Sequence, residues 1–343
     1  MADARLLVIR LGSLGDIVHT LPAVAALRDS FAGARIDWVV QRKWAPLLRG
    51  SPDIDQVIAL DPGWRATRDC VRRLREARYA CAIDFQALYK SALLAFFSGA
   101  QRRVGFSPRF GRERGATFFY TQRVSPPPGH IVEQNVALAE SAGARRAACR
   151  FALRVPEEAE AAVDGRLASV GLGEFFVLSP GGGWRSKCWP PERYGELYRE
   201  LARRHGWRGV VNFGPGERTL AEAVCRAAAP EGPVVFETDI PQLMALLRRA
   251  KIVVAGDTGP LHLAVALGTP VVGLYGPTDP ERNGPYCAAD VVVRNALAEH
   301  TTYKRGHQYS ASMLSITAGQ VLSAIEQRLA QARRKRLEPL GTP

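Results

Sequence analysis

A chain of 343 residues is too long for one ordinary domain and suits two of roughly 150 to 170 residues. Its composition, 47% hydrophobic and 23% charged, is that of a globular protein able to bury sizeable cores. The formal net charge of +13 favours an acidic partner, be it nucleic acid, an anionic membrane surface or a phosphorylated substrate.

The opening residues MADARLLVIRLG lack the basic stretch, apolar run and small-residue cleavage site of a secretory signal. The longest nearly apolar stretch, 80–100, carries Asp84 and Lys90, which a bilayer-spanning helix rarely tolerates together. The six cysteines form no C-x-x-C pair and have no histidine at ligand spacing, against a zinc site or a disulfide framework. Reduced thiols, with neither export nor a membrane span, are the expectation.

Short apolar β-rich runs then alternate with helical periods, the rhythm of parallel sheets built from βα units. In the first half, strands are expected at 5–11, 35–40, 56–60, 80–85 and 103–106, and helices at about 16–30, 65–78, 88–98 and 131–142. The first strand runs into a Gly-Ser-Leu-Gly turn and a helix opening at Asp16. An acid in a first turn compensates the helix dipole; the alternative is a general base facing a cleft. The D-x-D triplet of Asp53 and Asp55 mimics a metal motif but precedes a strand and reads as structural.

A polar, Ala-rich segment at 154–174 is the expected boundary. The second half restarts the rhythm, with strands at 175–179, 209–213, 234–236, 252–255 and 271–275 and helices near 191–205, 217–228, 240–250 and 260–267. A last helix begins at Thr317, with Gln320 as its capping-box partner and Ile316, Val321, Leu322, Ile325 and Leu329 as its apolar stripe. The expected division is a first domain at 1–160, a second at 161–315, and the last helix with a basic tail at 316–343.

Three turns in the second half suit a nucleotide. Ligands of open α/β sheets lie beyond the carboxyl ends of the strands, where helix N-termini offer free amides and a positive dipole end. In GDTGPLH, Asp257 ends a strand, the amides of Thr258 and Gly259 are placed for a diphosphate, and His262 adds a donor from the first turn. The bland alternative is a helix start with a half-buried histidine. In LSPGGGWRSKCWPPERY, glycines that include Gly182 and Gly183 permit close backbone approach, with Ser186 and Lys187 ahead of the next helix. In VNFGPGERTLAE, Glu217 either accepts from ribose hydroxyls or serves its own helix start. None of these turns is a Walker loop or the G-x-G-x-x-G of a dehydrogenase.

Taken together, RLGSLGDIVHTLPA, DFQALYKSALL, SPGGGWRSKCWPPERY and VVAGDTGPLHLAVALGTPVVGLYGPTDP resemble, in order and at matching spacing from about residue 5 to 333, the heptosyltransferases of glycosyltransferase family 9, which build the lipopolysaccharide inner core. The resemblance implies a GT-B fold, an α/β architecture of two Rossmann-like domains facing across a cleft. The acceptor would sit in the N-terminal domain, the nucleotide-sugar in the C-terminal one, and the last helix would cross back to the first domain. It also places the catalytic aspartate at Asp16 and the phosphate-binding lysine at Lys187. The D-T-G-x-x-H element falls on Asp257, Thr258, Gly259 and His262, and the acid near the nucleoside on Glu217.

Two departures stand out. Hydroxyl residues often precede the family's lysine, whereas Gly181, Gly182 and Gly183 stand here, so those contacts fall to backbone amides or Ser186. A cysteine-containing segment ahead of the last helix in many relatives is replaced by HTTYKRGHQYSASML. The arginine-rich segment 102–123 lies in the acceptor domain of this scheme. Arg109, Arg112 and Arg114 are its candidate ligands for an anionic sugar acceptor, against the alternative of a solvated basic loop.

What the resemblance implies is an inverting, metal-independent heptosyltransferase that takes L-glycero-D-manno-heptose from ADP-heptose to the Kdo/lipid A inner core. It would use no cofactor beyond its donor, at the cytoplasmic face of the inner membrane, where the charge and the RRKR tail suit an anionic surface. The rivals are a family-9 enzyme with another donor or acceptor, protein heptosylation included, and a basic nucleic-acid-binding protein. Phe106, Phe110, Phe118, Phe119 and Tyr120 do interleave with arginines as the latter requires. Four ordered motifs outweigh that pattern, so no nucleic-acid partner is expected. They leave first and second heptose transfer open.

Overall fold

The structure is a computed structural model that describes residues 4–295 and 306–337, with side chains to 332. Residues 300–305 of the HTTYKRG segment and the side chains of the RRKR tail lie outside the described residues. The chain forms two compact units that divide between Arg154 and Val155, a few residues ahead of the expected boundary. The segment read as a polar boundary is largely a helix, Glu157–Ser169, belonging to the second unit. Its buried stripe is narrow, Ala159, Val163 and Leu167 at four-residue spacing, which is why its sequence reads as a linker. Arg248 and Arg249 of the neighbouring helix Ile240–Arg249 hold it through Glu160 and Asp164.

In the first unit six parallel strands, β1 (Arg5–Ile9), β2 (Arg35–Gln41), β3 (Gln56–Leu60), β4 (Cys81–Asp84), β5 (Arg102–Phe106) and β6 (Gln122–Val124), lie in the order β3-β2-β1-β4-β5-β6. The second unit repeats the winding with β7 (Phe175–Ser179), β8 (Arg208–Phe213), β9 (Val234–Glu237), β10 (Val253–Gly256), β11 (Val271–Leu274) and β12 (Val291–Val293), in the order β9-β8-β7-β10-β11-β12. Both sheets reverse strand order once, at β1/β4 and at β7/β10. A doubly wound sheet opens a crevice at the carboxyl ends of the strands flanking such a point. The central strands are buried on both faces, as in Leu7, Val8 and Ile9 of β1 and all of β10, and that burial produces their continuous apolar runs. The two outermost three-residue strands, β6 and β12, are absent from the expected set because neither is long enough to carry a period.

The helix expected at 16–30 is two, Leu14–Val18 and Leu21–Ser30. Pro22 sits in the first turn of the second helix, where its missing N–H and fixed φ start a helix better than they continue one. At the other end, Thr317 and Gln320 form the expected reciprocal cap: the Thr317 amide donates to Gln320 Oε1 at 2.9 Å, and the Gln320 amide donates to Thr317 Oγ1 at 3.3 Å. The helix they start, Ala318–Leu337, buries Val321, Leu322 and Ile325 in the second unit's core beside Trp189 and Leu274. Arg328 reinforces it by pairing with Asp290 at 2.6 Å. Its described packing is with β11, β12 and the helix Pro191–His205.

Candidate active site

Each reversal point carries one cluster of charged side chains. At β1/β4 the chain leaves β1 through Arg10, whose guanidinium is 8% exposed and meets Asp16 Oδ1 at 2.6 Å while also donating to the Phe85 carbonyl. Asp16 stands three residues beyond Ser13, and its Oδ2 accepts from the Ser13 amide at 3.1 Å and hydroxyl at 3.0 Å. This geometry satisfies a free amide at the helix start. The carboxylate is nonetheless the more open partner of the ion pair, 22% exposed. Burial alone would raise its pKa, but the charges of Arg10, Arg112 and His19 and the Ser13 amide hold it well below the usual carboxylate range.

Asp84, at the end of β4, is fully buried and accepts from Tyr120 Oη at 2.7 Å and from the amides of Gln86 at 2.8 Å and Ala87 at 3.3 Å. Burial pushes its pKa up against those hydrogen bonds. It ends the strand beside β1, in register with Ile9, and the Arg10 guanidinium lies in the field of two carboxylates, with Arg112 opposing them. Arg10, Asp84 and Tyr120 are absent from the expected site. A charged residue closing an otherwise apolar central strand was the signal for Arg10, since such a group stays buried only when paired.

The arginine-rich segment divides in two. Arg102 is tied to Gln122 and to the carbonyls of Ser141 and Ala142, Arg103 to the carbonyls of Phe119 and Ala100 at 2.8 Å each, and Arg123 to that of Thr117 at 2.9 Å. These three fasten the chain to itself. Arg109, Arg112 and Arg114 are exposed and form no ion pair among the described residues, and Arg112 is the one whose charge reaches Asp16.

At β7/β10 the order of exposure is reversed. Lys187, in the turn Arg185–Lys187, places Nζ 2.6 Å from Asp257 Oδ2, and His262 places Nε2 3.2 Å from Asp257 Oδ1. The Asp257 side chain is 6% exposed and Lys187 14%. Burial would raise the Asp257 pKa; the hydrogen bond from His262 and the charge of Lys187 win and hold it well below the usual range. A carboxylate with both oxygens engaged does not bind phosphate itself. It fixes the two donors that can, and Trp184 supports Lys187 from beneath with its ring centroid 4.3 Å from Nζ.

The amides at the start of the helix Gly259–Ala266 complete this cluster, Thr258 standing at the N-cap and Pro260 in the first turn. The glycine loop closes over the same place. A Cβ on Gly182 would lie 3.3 Å from Thr258 Cγ2, and one on Gly181 2.4 Å from both carboxylate oxygens of Glu217. Glu217 also accepts from the Gly214 amide at 3.1 Å, so it serves its own loop. Gly183 faces open space, and among the described residues buried Ser186 has no hydrogen-bond partner for its Oγ beside the lysine. Gly182, Lys187, Glu217, Asp257, Thr258, Gly259 and His262 thus gather at one end of one sheet.

The D-x-D triplet is structural: Asp53 pairs with Arg150 at 2.6 Å and Asp55 with Arg28 at 2.5 Å. Among the described residues no three His, Cys, Asp or Glu side chains gather as a metal site, and no helix is long and apolar enough to cross a membrane.

Two identically wound Rossmann-like units, the second with a cation and a helix start at its switch point, define the architecture of a GT-B glycosyltransferase. Residues 67–312 match the model of glycosyltransferase family 9 (heptosyltransferase), and the chain belongs to that family. It is 30% identical to lipopolysaccharide heptosyltransferase 1 of Pseudomonas aeruginosa, over 84% of this chain and 82% of that one. It is 26% identical to the lipopolysaccharide core heptosyltransferase OpsX of Haemophilus influenzae, over 85% and 84%. The solved structure of the E. coli heptosyltransferase WaaC with ADP superposes with a TM-score of 0.75 at 27% identity, covering 96% of this chain and 99% of that one.

Proposed function

We propose that this protein transfers a heptosyl unit from ADP-heptose to the inner core of lipopolysaccharide, with inversion at the anomeric carbon and without a metal ion. The observation that carries the reading is the Lys187–Asp257–His262 cluster at the start of the helix Gly259–Ala266. Lys187, His262 and the first-turn amides would meet the diphosphate there. The relatives' names and the ADP complex support the choice of donor.

In this reaction Asp16 takes the proton of the acceptor hydroxyl as its oxygen attacks the anomeric carbon in line. The carbon–oxygen bond to ADP breaks, and its electron pair leaves on the diphosphate. Negative charge grows on the leaving group as that bond lengthens, so Lys187, His262 and the helix dipole stabilise the transition state more than the ground state. These groups supply the positive charge for which other enzymes use a divalent cation. Arg109, Arg112 and Arg114 hold the anionic acceptor, and the net charge of +13 suits work at the cytoplasmic face of the inner membrane. Two measurements test the proposal: turnover of ADP-heptose on Kdo2-lipid A, and calorimetry with ADP, UDP and NAD. Transfer with selective ADP binding is the expected result; no transfer and no preference for ADP would overturn it.

A further inference from the structure

The first unit carries an exposed aromatic surface apart from the charged cluster at β1/β4. All five exposed Trp, Tyr and Phe side chains among the described residues, Trp64, Tyr89, Phe96, Phe97 and Phe118, belong to it. On the helix Tyr89–Phe97, Tyr89, Leu93, Phe96 and Phe97 fall at i, i+4, i+7 and i+8, one face of a helix. That face is apolar and turned outward, with Tyr89 49%, Phe96 44% and Phe97 45% exposed. The Phe96 ring packs edge-on against Phe97 at 5.3 Å and Phe119 at 5.5 Å, and Phe118 beside them in sequence is 78% exposed. A single exposed phenylalanine is unremarkable, but a contiguous aromatic group is an interaction site.

Its setting is cationic. Arg103 lies over Phe96 at 5.4 Å and Arg123 over Phe118 at 5.5 Å. The adjoining helix Trp64–Glu76 packs beside Tyr89–Phe97 and presents exposed arginines at 65, 68, 72, 73 and 75 against only Asp69 and Glu76. Aromatic rings inside a field of arginines match the interface of an anionic bilayer, where rings enter the acyl boundary and guanidinium groups meet headgroup phosphates.

We infer that the exposed face of Tyr89–Phe97, with Phe118, docks this protein on an anionic phospholipid surface. The inference deepens the proposed function and rests on its lipid-linked acceptor, for which such docking would bring the first unit to the membrane plane.

The test is co-sedimentation of the full chain with vesicles of phosphatidylglycerol and phosphatidylcholine, against phosphatidylcholine alone, beside a Phe96→Ser/Phe97→Ser/Phe118→Ser variant. The wild type should partition to the anionic vesicles in a salt-sensitive way, and the variant should lose at least about tenfold in partitioning. Because these side chains are exposed, circular dichroism should match. A second variant, Arg65→Glu/Arg72→Glu, should weaken anionic binding and leave the aromatic face intact. No vesicle binding by the wild type, or equal binding by the serine variant, would overturn the inference. So would a concentration-dependent dimer that the serine variant abolishes, since the face would then cover a second copy. Transfer to a delipidated, soluble acceptor is measured in parallel. Loss of transfer with vesicle binding intact would sink the catalytic reading alone, and transfer without vesicle binding would sink the docking face alone.

Discussion

The two reversal points share a winding and a depressed carboxylate, yet they present opposite charges. At β1/β4 the guanidinium of Arg10 is the buried partner and Asp16 the open one; at β7/β10 Asp257 is buried and Lys187 the more open. An ion pair is a device with a front and a back. In the proposed reaction, the open anion of the first pair receives a proton and the open cation of the second receives phosphate. The same fold element is thus set for opposite tasks by which partner stands on the strand end, a difference that fold alone does not convey.

Replacing the front residue of the first pair should have the largest effect. Asp16→Asn keeps the shape and the contact with Ser13 but cannot take a proton, so kcat should fall about 10² to 10⁴-fold with ADP affinity unchanged. A folded variant that keeps wild-type kcat would make the first pair a helix-start device only, and the contrast would collapse. Lys187→Ala removes the front of the second pair. ADP binding measured by calorimetry should weaken by about 1.5 to 3 kcal/mol, and unchanged affinity would show that the cation does not face the nucleotide.

A smaller change is expected from the three open arginines of the 102–123 segment. Neutralising Arg109, Arg112 and Arg114 together should raise the acceptor KM by roughly tenfold, as expected for losing charge-assisted contacts, and leave ADP affinity alone. Parallel loss of ADP binding, or no kinetic change, would return them to a solvated loop. The most subtle test targets the back of the first pair. Arg10 holds the Asp16 pKa down, so Arg10→Gln should move the acidic limb of the kcat/KM profile to higher pH. An unmoved limb would remove Asp16 from the profile.

Both carboxylates also tie stability to pH. Their folded pKa values lie below the unfolded value of about 4, so the folded form gains from their ionisation above that pH. That gain is complete above about pH 4 and is lost as the pH falls further. Acid denaturation of Asp257→Asn, followed by circular dichroism, should accordingly be shallower in that window than in the wild type.

Much of this was legible in the sequence, for a physical reason. Strands buried on both faces advertise themselves as apolar runs, and the turns that follow β1, β7 and β10 carry glycine, proline and acid at positions their geometry demands. Asp16, Lys187, Asp257 and His262 therefore stood out. What escaped notice was either short, as in β6 and β12, or depended on contacts between segments distant in the chain. Arg10 meets the Phe85 carbonyl, and Asp84 meets Tyr120, only after the strands have aligned. The division of the arginines into fasteners and open charges likewise follows from which backbone carbonyls lie within reach.

The crowding of Glu217 against Gly181 bears on how such a loop changes over evolutionary time. Any side chain at 181 would meet the Glu217 carboxylate, and that flexible head would yield before the backbone did. A hydroxyl-bearing residue at 181 would therefore cost this protein the position of an acid rather than its fold. Positions 181 and 217 are thus coupled through space, since a side chain at the first re-aims the carboxylate of the second.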